Sequence, residues 1–202
     1  MFPALTPATR ALILVNVLVF VLEQVALRPI LVHFALWPLA TPEGLFRPWQ
    51  LITYAFLHAG ILHIFFNMFA LYVFGPALES YWGGRRFLAY YFVCVIAAGC
   101  TQLAVEYGMG SGEPTLGASG GIFGILLAFA MLFPRTRLLL YFAIPVPAWL
   151  FVAGYAVLEL FYGVTGRQGS VAHFAHLGGM LGGAIMMLFW RLRADGGGWR
   201  PS

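Results

Sequence analysis

The sequence predicts an all-α polytopic membrane protein: a single bundle of six transmembrane helices with an interfacial first loop. Hydrophobic residues make up 61% of the 202 positions and charged residues only 9%, too little polar surface for a water-soluble domain. The apolar residues fall into separate runs, each close to the ~20 residues a helix needs to cross the hydrocarbon. Small residues recur four apart inside these runs, as in Gly117/Gly121 and Gly120/Gly124, the spacing that lets helices approach closely in lipid.

The net charge of +4 is carried entirely by scattered arginines, with no lysine in the chain. Such single and paired cations read as topology signals, and no nucleic-acid partner is expected. Cys94 and Cys100 lie in one apolar segment on different helix faces, which argues against a structural disulfide. They are expected as small core or lipid-facing residues.

The first span is read from Ala11 to Leu27, apolar except for Asn16, Glu23 and Gln24. A retained helix fits it better than a secretory signal, because one arginine precedes it and no small-x-small cleavage site follows cleanly. Arg28 to Gly60 breaks the pattern. Pro29, Pro38, Pro42, Gly44 and Pro48 are interspersed with Trp37, Phe46, Trp49, Tyr54 and Phe56, a composition expected to lie at the interface, where aromatic rings are favoured. Further spans follow at Ile61 to Leu78, Phe87 to Val105, Gly117 to Phe133, Ala148 to Val164 and Val171 to Trp190. Leu138 to Pro147 is expected to be a connection. One membrane domain is therefore assigned to 1–193, with a disordered cytoplasmic tail over 194–202.

Eight arginines (10, 85, 86, 135, 137, 191, 193 and 200) fall on one side of these spans and three (28, 47 and 167) on the other. The richer side is expected to be cytoplasmic, with both termini inside and the long first loop outside. The short tails suggest a bacterial-sized form, hence the bacterial cell inner membrane.

Polar residues within spans are expensive and mark candidate sites. His63 and Asn67 share one face near the start of the second span, Ser119 begins the fourth, and His176, preceded by His173, lies near the start of the sixth. All three spans run from outside to inside, so these side chains can converge just below the outer surface. Alone, Ser119 reads as a helix cap and each histidine as an interhelical hydrogen bond; together they form a nucleophile and base constellation. Gly179 and Gly183 line the helix face of His176, a groove into which the glycine-rich fourth helix could press. His173 is the competing base, but its ridge continues through bulky Leu177 and Met180. His63, Asn67 and the Ser119 amide have a natural role as oxyanion donors.

Absent residues narrow the chemistry further. Without lysine there is no Ser-Lys dyad, and the single aspartate, Asp195, excludes a two-aspartate protease. No histidine begins an H-E-x-x-H zinc motif. No aspartate is available to orient the histidine, which points to a Ser-His dyad. Glu159, in the fifth span, is the one acid placed to be a third member; it is read as a structural hydrogen-bonding residue.

At this point the chain resembles the rhomboid family of intramembrane serine proteases. The resemblance rests on His58-x4-His63-x3-Asn67, Gly117-Ala118-Ser119-Gly120 and Ala175-His176-x2-Gly179-x3-Gly183, in that order on the second, fourth and sixth spans. It implies a rhomboid-like bundle in the six-helix bacterial-type form, with Ser119 as nucleophile and His176 as general base and acid. His63, Asn67 and the Ser119 amide would form the oxyanion hole. Gly117, Gly120, Gly179 and Gly183 would support the site, with Phe123 standing where the family often has a tyrosine that stacks on the histidine. Trp49-Gln50 replaces a frequent Trp-Arg in the first loop, and Glu79, near Arg85 and Arg86, matches a structural acid.

The resemblance further implies a water-filled cavity open to the outer side, transmembrane protein substrates that enter sideways from the lipid bilayer, and no cofactor or metal. A homo-oligomer is compatible with the sequence. Two other functions compete with this one. A catalytically inactive rhomboid-like scaffold or helix-binding quality-control protein typically lacks the serine or histidine, and a small transporter predicts inverted repeats that the chain does not show.

Overall fold

The structure, a computed structural model, describes residues 4–41, 44–109, 113–140, 143–165 and 172–197. Arg167, Val171 and Arg200, used above for topology and span limits, lie outside them. The elements are α1 (Pro7–Phe34), α2 (Gln50–Thr53), a single 3₁₀ turn (Tyr54–Phe56), α3 (Ile61–Trp82), α4 (Gly84–Met109), α5 (Ser119–Leu132), an antiparallel hairpin of β1 (Arg137–Leu140) and β2 (Ile144–Pro147), α6 (Ala148–Thr165) and α7 (His173–Gly197). The fold is an all-α polytopic bundle, and α1, α3, α4, α6 and α7 are each long and apolar enough to cross a membrane.

The fourth predicted span differs from its expectation. α5 has 14 residues, about 21 Å at 1.5 Å per residue, short of the ~30 Å hydrocarbon. It is shorter because the chain up to Gly117 is not helical; Leu36 and Thr115 exchange backbone hydrogen bonds of 3.0 and 2.9 Å there. Most of α5 is buried by its neighbours, and a helix enclosed by protein has no bilayer thickness to match.

Other elements also differ from their expected limits. α1 continues through Arg28 to Phe34 instead of ending at Leu27, with its break at Ala26 (φ −137°, ψ 45°). Pro29 explains the break, since its ring clashes with the carbonyl four residues earlier, at Val25. The connection expected at 138–147 is the β-hairpin, pairing Arg137 with Pro147 and Leu140 with Ile144. α7 carries on to Gly197, so the first four residues of the expected disordered tail, 194–197, are helical; 198–202 lie outside the described residues.

The bundle is built around α4, whose Tyr90, Tyr91, Cys94 and Val95 are fully buried. Glycines on the neighbouring helices meet it. A Cβ on Gly121 of α5 would collide with Tyr91 and Val95, and one on Gly182 of α7 with Ala97. In lipid this backbone-close van der Waals packing replaces the hydrophobic driving force. Cys94 is buried and Cys100 exposed, both free.

Two buried polar residues fix the periphery. The Glu79 carboxylate accepts the Ala8 and Thr9 amides at 2.8 and 2.7 Å and both the Thr6 and Thr9 hydroxyls. It thus caps the positive N-terminus of α1, the role of a structural acid. Gln50, fully buried, accepts the Trp37 and Arg47 amides at 3.3 and 3.1 Å and donates to the Leu45 carbonyl at 3.1 Å. A neutral amide therefore anchors the first loop where the family often has an arginine.

Candidate active site

Ser119 stands at the first position of α5, after Gly117. Gly117 has φ +125°, a region that disfavours side chains, and a Cβ there would lie 2.8 Å from the His63 ring and 3.7 Å from Ser119 Oγ. Glycine is therefore required twice over, and its absent side chain is the space that His63 and Ser119 share. The Gly117 amide is tied to the Tyr54 carbonyl at 2.9 Å, and the Tyr54 hydroxyl donates to the Val95 carbonyl at 2.7 Å. Burial pushes that phenol well above its ordinary pKa.

His176 Nε2 is 2.8 Å from Ser119 Oγ. The approach depends on Gly179, whose missing Cβ would overlap the Gly120 backbone carbonyl. Gly183 has a different neighbour from the one expected: its missing side chain faces Tyr90 and Cys94 of α4, so the groove seats α5 at Gly179 and α4 at Gly183. Phe123 stacks on His176 with ring centroids 4.2 Å apart and planes 6° apart.

The second nitrogen of His176, Nδ1, lies 2.9 Å from Glu159 Oε2, and His173 Nδ1 lies 2.7 Å from the same oxygen. A carboxylate oxygen accepts, so this pairing calls for the Nδ1–H tautomer of both rings. That tautomer leaves the His176 Nε2 lone pair facing the serine hydroxyl. Among the described residues His173 Nε2 has no hydrogen-bond partner; the competing base is turned towards Glu159. Glu159, the one acid placed to be a third member, makes this contact, and the same hydrogen bonds join α6 to α7. Its one signal in the sequence was that of a lone acid in an apolar span.

Glu159, His173 and His176 also place donor atoms within 4.8 Å of one another, a set that could hold a metal ion. Their separations of 2.7 and 2.9 Å are those of N–H···O hydrogen bonds, shorter than the roughly 3.3 Å between tetrahedral ligands implied by zinc bond lengths.

On α3, His63 Nδ1 accepts the Ala59 amide at 3.3 Å, which places its proton on Nε2 as a donor. The Asn67 side-chain amide donates to the His63 carbonyl at 2.8 Å. The Ser119 amide belongs to the first turn of α5, where N–H groups have no intrahelical acceptor. The structure thus brings Ser119, His176, Phe123 and His63 together, while Asn67 engages its own helix. His58, just before α3, is 3% exposed, and burial, aided by nearby His63, pushes its imidazole down to about 4. A cavity of about 580 Å³ opens beside it between α1 and the start of α3, lined by Glu23, Gln24, His58, Gly60 and Leu116.

Among known families, the Rhomboid domain matches residues 46–193. The chain is 36% identical over 145 residues to Rhomboid protein 1, mitochondrial, of Saccharomyces cerevisiae, covering 67% of this chain and 40% of that protein. It is 33% identical over 135 residues to Rhomboid protease GluP of Bacillus subtilis, covering 67% and 24%. It is 30% identical over 180 residues to Presenilin-associated rhomboid-like protein, mitochondrial, of Homo sapiens, covering 85% and 45%. The chain spans less than half the length of each of these relatives. Two of them are mitochondrial, and they do not support the bacterial cell inner membrane expected from the sequence.

Proposed function

The chain belongs to the rhomboid family, which includes intramembrane serine proteases, and from that premise we propose that it is a serine endopeptidase cleaving transmembrane segments of membrane proteins. The observation that carries this reading is the 2.8 Å contact between Ser119 Oγ and His176 Nε2 at the head of a helix seated by glycine. Ser119 Oγ attacks the scissile carbonyl carbon as His176 Nε2 takes its proton. The carbonyl oxygen becomes an oxyanion, held by the Ser119 amide, His63 Nε2–H and the Asn67 side-chain amide once it turns from the His63 carbonyl. His176 then protonates the leaving amine, the C–N bond breaks, and water releases the acyl group by the same two proton transfers in reverse.

Residues 1–193 form the one membrane domain in this reading, with both termini cytoplasmic and the site opening to the outer side. Its substrates are transmembrane proteins reached through the lipid bilayer, and it needs no cofactor. The retained Ser119 and His176 support a protease over an inactive scaffold. Ser119→Ala is expected to lower cleavage of a purified model transmembrane substrate by at least about 10³-fold with the thermal midpoint unchanged. Cleavage by Ser119→Ala at the parent rate would overturn the assignment.

A further inference from the structure

Of the residues that α6 presents, only Ala148, Val152 and Glu159 are buried against the bundle. A carboxylate carried inward on an apolar helix is costly unless its oxygens are paired. Both recorded hydrogen bonds of Glu159 go to imidazoles, His173 Nδ1 and His176 Nδ1, and both end on Oε2. Glu79, by contrast, is satisfied by backbone amides and hydroxyls at a helix end, the pattern of an acid that only joins two elements. The partner of Glu159 is the ring whose far nitrogen is 2.8 Å from Ser119 Oγ.

We propose that Glu159 is a positioning residue for proteolysis: it holds His176 in the Nδ1–H tautomer and offsets the imidazolium charge that forms when Ser119 gives up its proton. The proposal rests on the reading of Ser119 and His176 as nucleophile and base, and it makes the site of this chain a triad assembled from α5, α6 and α7. An acceptor fixed at Nδ1 leaves Nε2 as the lone pair that the serine hydroxyl needs. A full negative charge at 2.9 Å offsets the positive charge of the transition state between two buried groups.

His173 has a supporting part. Its ring is perpendicular to that of His176, with centroids 6.4 Å apart, and its Nδ1–H aims the shared oxygen. Phe123 closes the opposite side of the His176 ring. The imidazole is therefore held at its face by an aromatic ring and at its edge by a carboxylate.

The test compares parent, Glu159→Gln, Glu159→Ala, His173→Ala and Ser119→Ala on one model transmembrane substrate in detergent, alongside ¹⁵N NMR of the histidine rings. Glu159→Gln, which keeps the shape and removes the charge, is expected to lower kcat about 10²-fold with KM within about twofold. His173→Ala is expected to lower kcat only a few-fold. The parent His176 ring should carry its proton on Nδ1, and Glu159→Ala should lose that preference.

A merely structural Glu159 would lower the thermal midpoint or the yield and leave kcat and the tautomer where they were. The proposal falls if kcat of Glu159→Gln stays within about twofold of the parent, or if the parent ring is protonated on Nε2, a measurement that needs no variant to fold. If those results come with an inactive Ser119→Ala, only the role of Glu159 is lost. If Ser119→Ala cuts like the parent, the underlying reading fails instead.

Discussion

At the scale of single residues, the site works by restricting one imidazole. His176 has Ser119 at one nitrogen, Glu159 at the other and Phe123 across its face, so its ring has little freedom left. The stacking can be isolated, because Phe123 offers the His176 ring an aromatic face and no polar atom. Phe123→Ala is expected to lower kcat/KM two- to tenfold, in line with the ~0.5–1.5 kcal/mol of an aromatic pair. Phe123→Tyr should keep the parent rate, since the ring and not a hydroxyl is what this chain uses. Steady-state kinetics on one substrate distinguishes the two. Ser119 and His176 were legible from spacing and glycine company. The orientation of His173 was not, because a helical repeat says which face a residue occupies and not which partner its ring selects.

At the scale of elements, catalysis depends on how closely α5 and α7 approach. Gly179 meets the Gly120 carbonyl with no room for a methyl group, and backbone, unlike a side chain, cannot swing aside. Gly179→Ala must part the helices. The expected cost is about 2 kcal/mol or more in stability, and about 10²-fold in kcat/KM because a displacement near 1 Å ruins the proton transfer. Thermal unfolding in detergent and cleavage assays measure the two effects separately. A Gly179→Ala variant with parent kinetics would show that the contact does not set the Ser119–His176 distance. The shortness of α5 belongs here too. Its apolar run from Ile122 to Phe133 looked like any other span, since hydropathy cannot reveal that neighbouring helices and not lipid surround it.

At the scale of the whole molecule, the outer surface is an apolar shell, and the largely apolar interior holds a small set of buried polar groups. Leu14, Val25, Val157, Leu160 and Leu188 are exposed, as suits contact with acyl chains, while Glu23, His58, Asn67, Glu79 and Glu159 are buried. This arrangement makes global stability sensitive to acid. His58 sits at about 4 in the fold against 6.5 as its ordinary value, so the folded state prefers the neutral ring. Its contribution is fully present above about pH 6.5 and is lost as pH falls towards 4, by at most about 3 kcal/mol. The thermal midpoint in detergent should drop between pH 7 and pH 4.5, and His58→Gln should flatten that drop. An equal drop in His58→Gln would move its origin to other groups.

The chain by itself determined the membrane class, the order of the helices and the pairing of Ser119 with His176. Those properties follow from local periodicity, from the cost of polar groups in hydrocarbon, and from glycines that have no other use at such positions. Only the tertiary structure decided that Glu159 reaches His176, that Glu79 caps α1, that Gly183 faces α4, and that α5 begins within the bundle. Each is a choice of partner between elements distant in sequence. Such choices depend on the relative rotation and depth of packed helices, quantities that no pattern along one helix encodes.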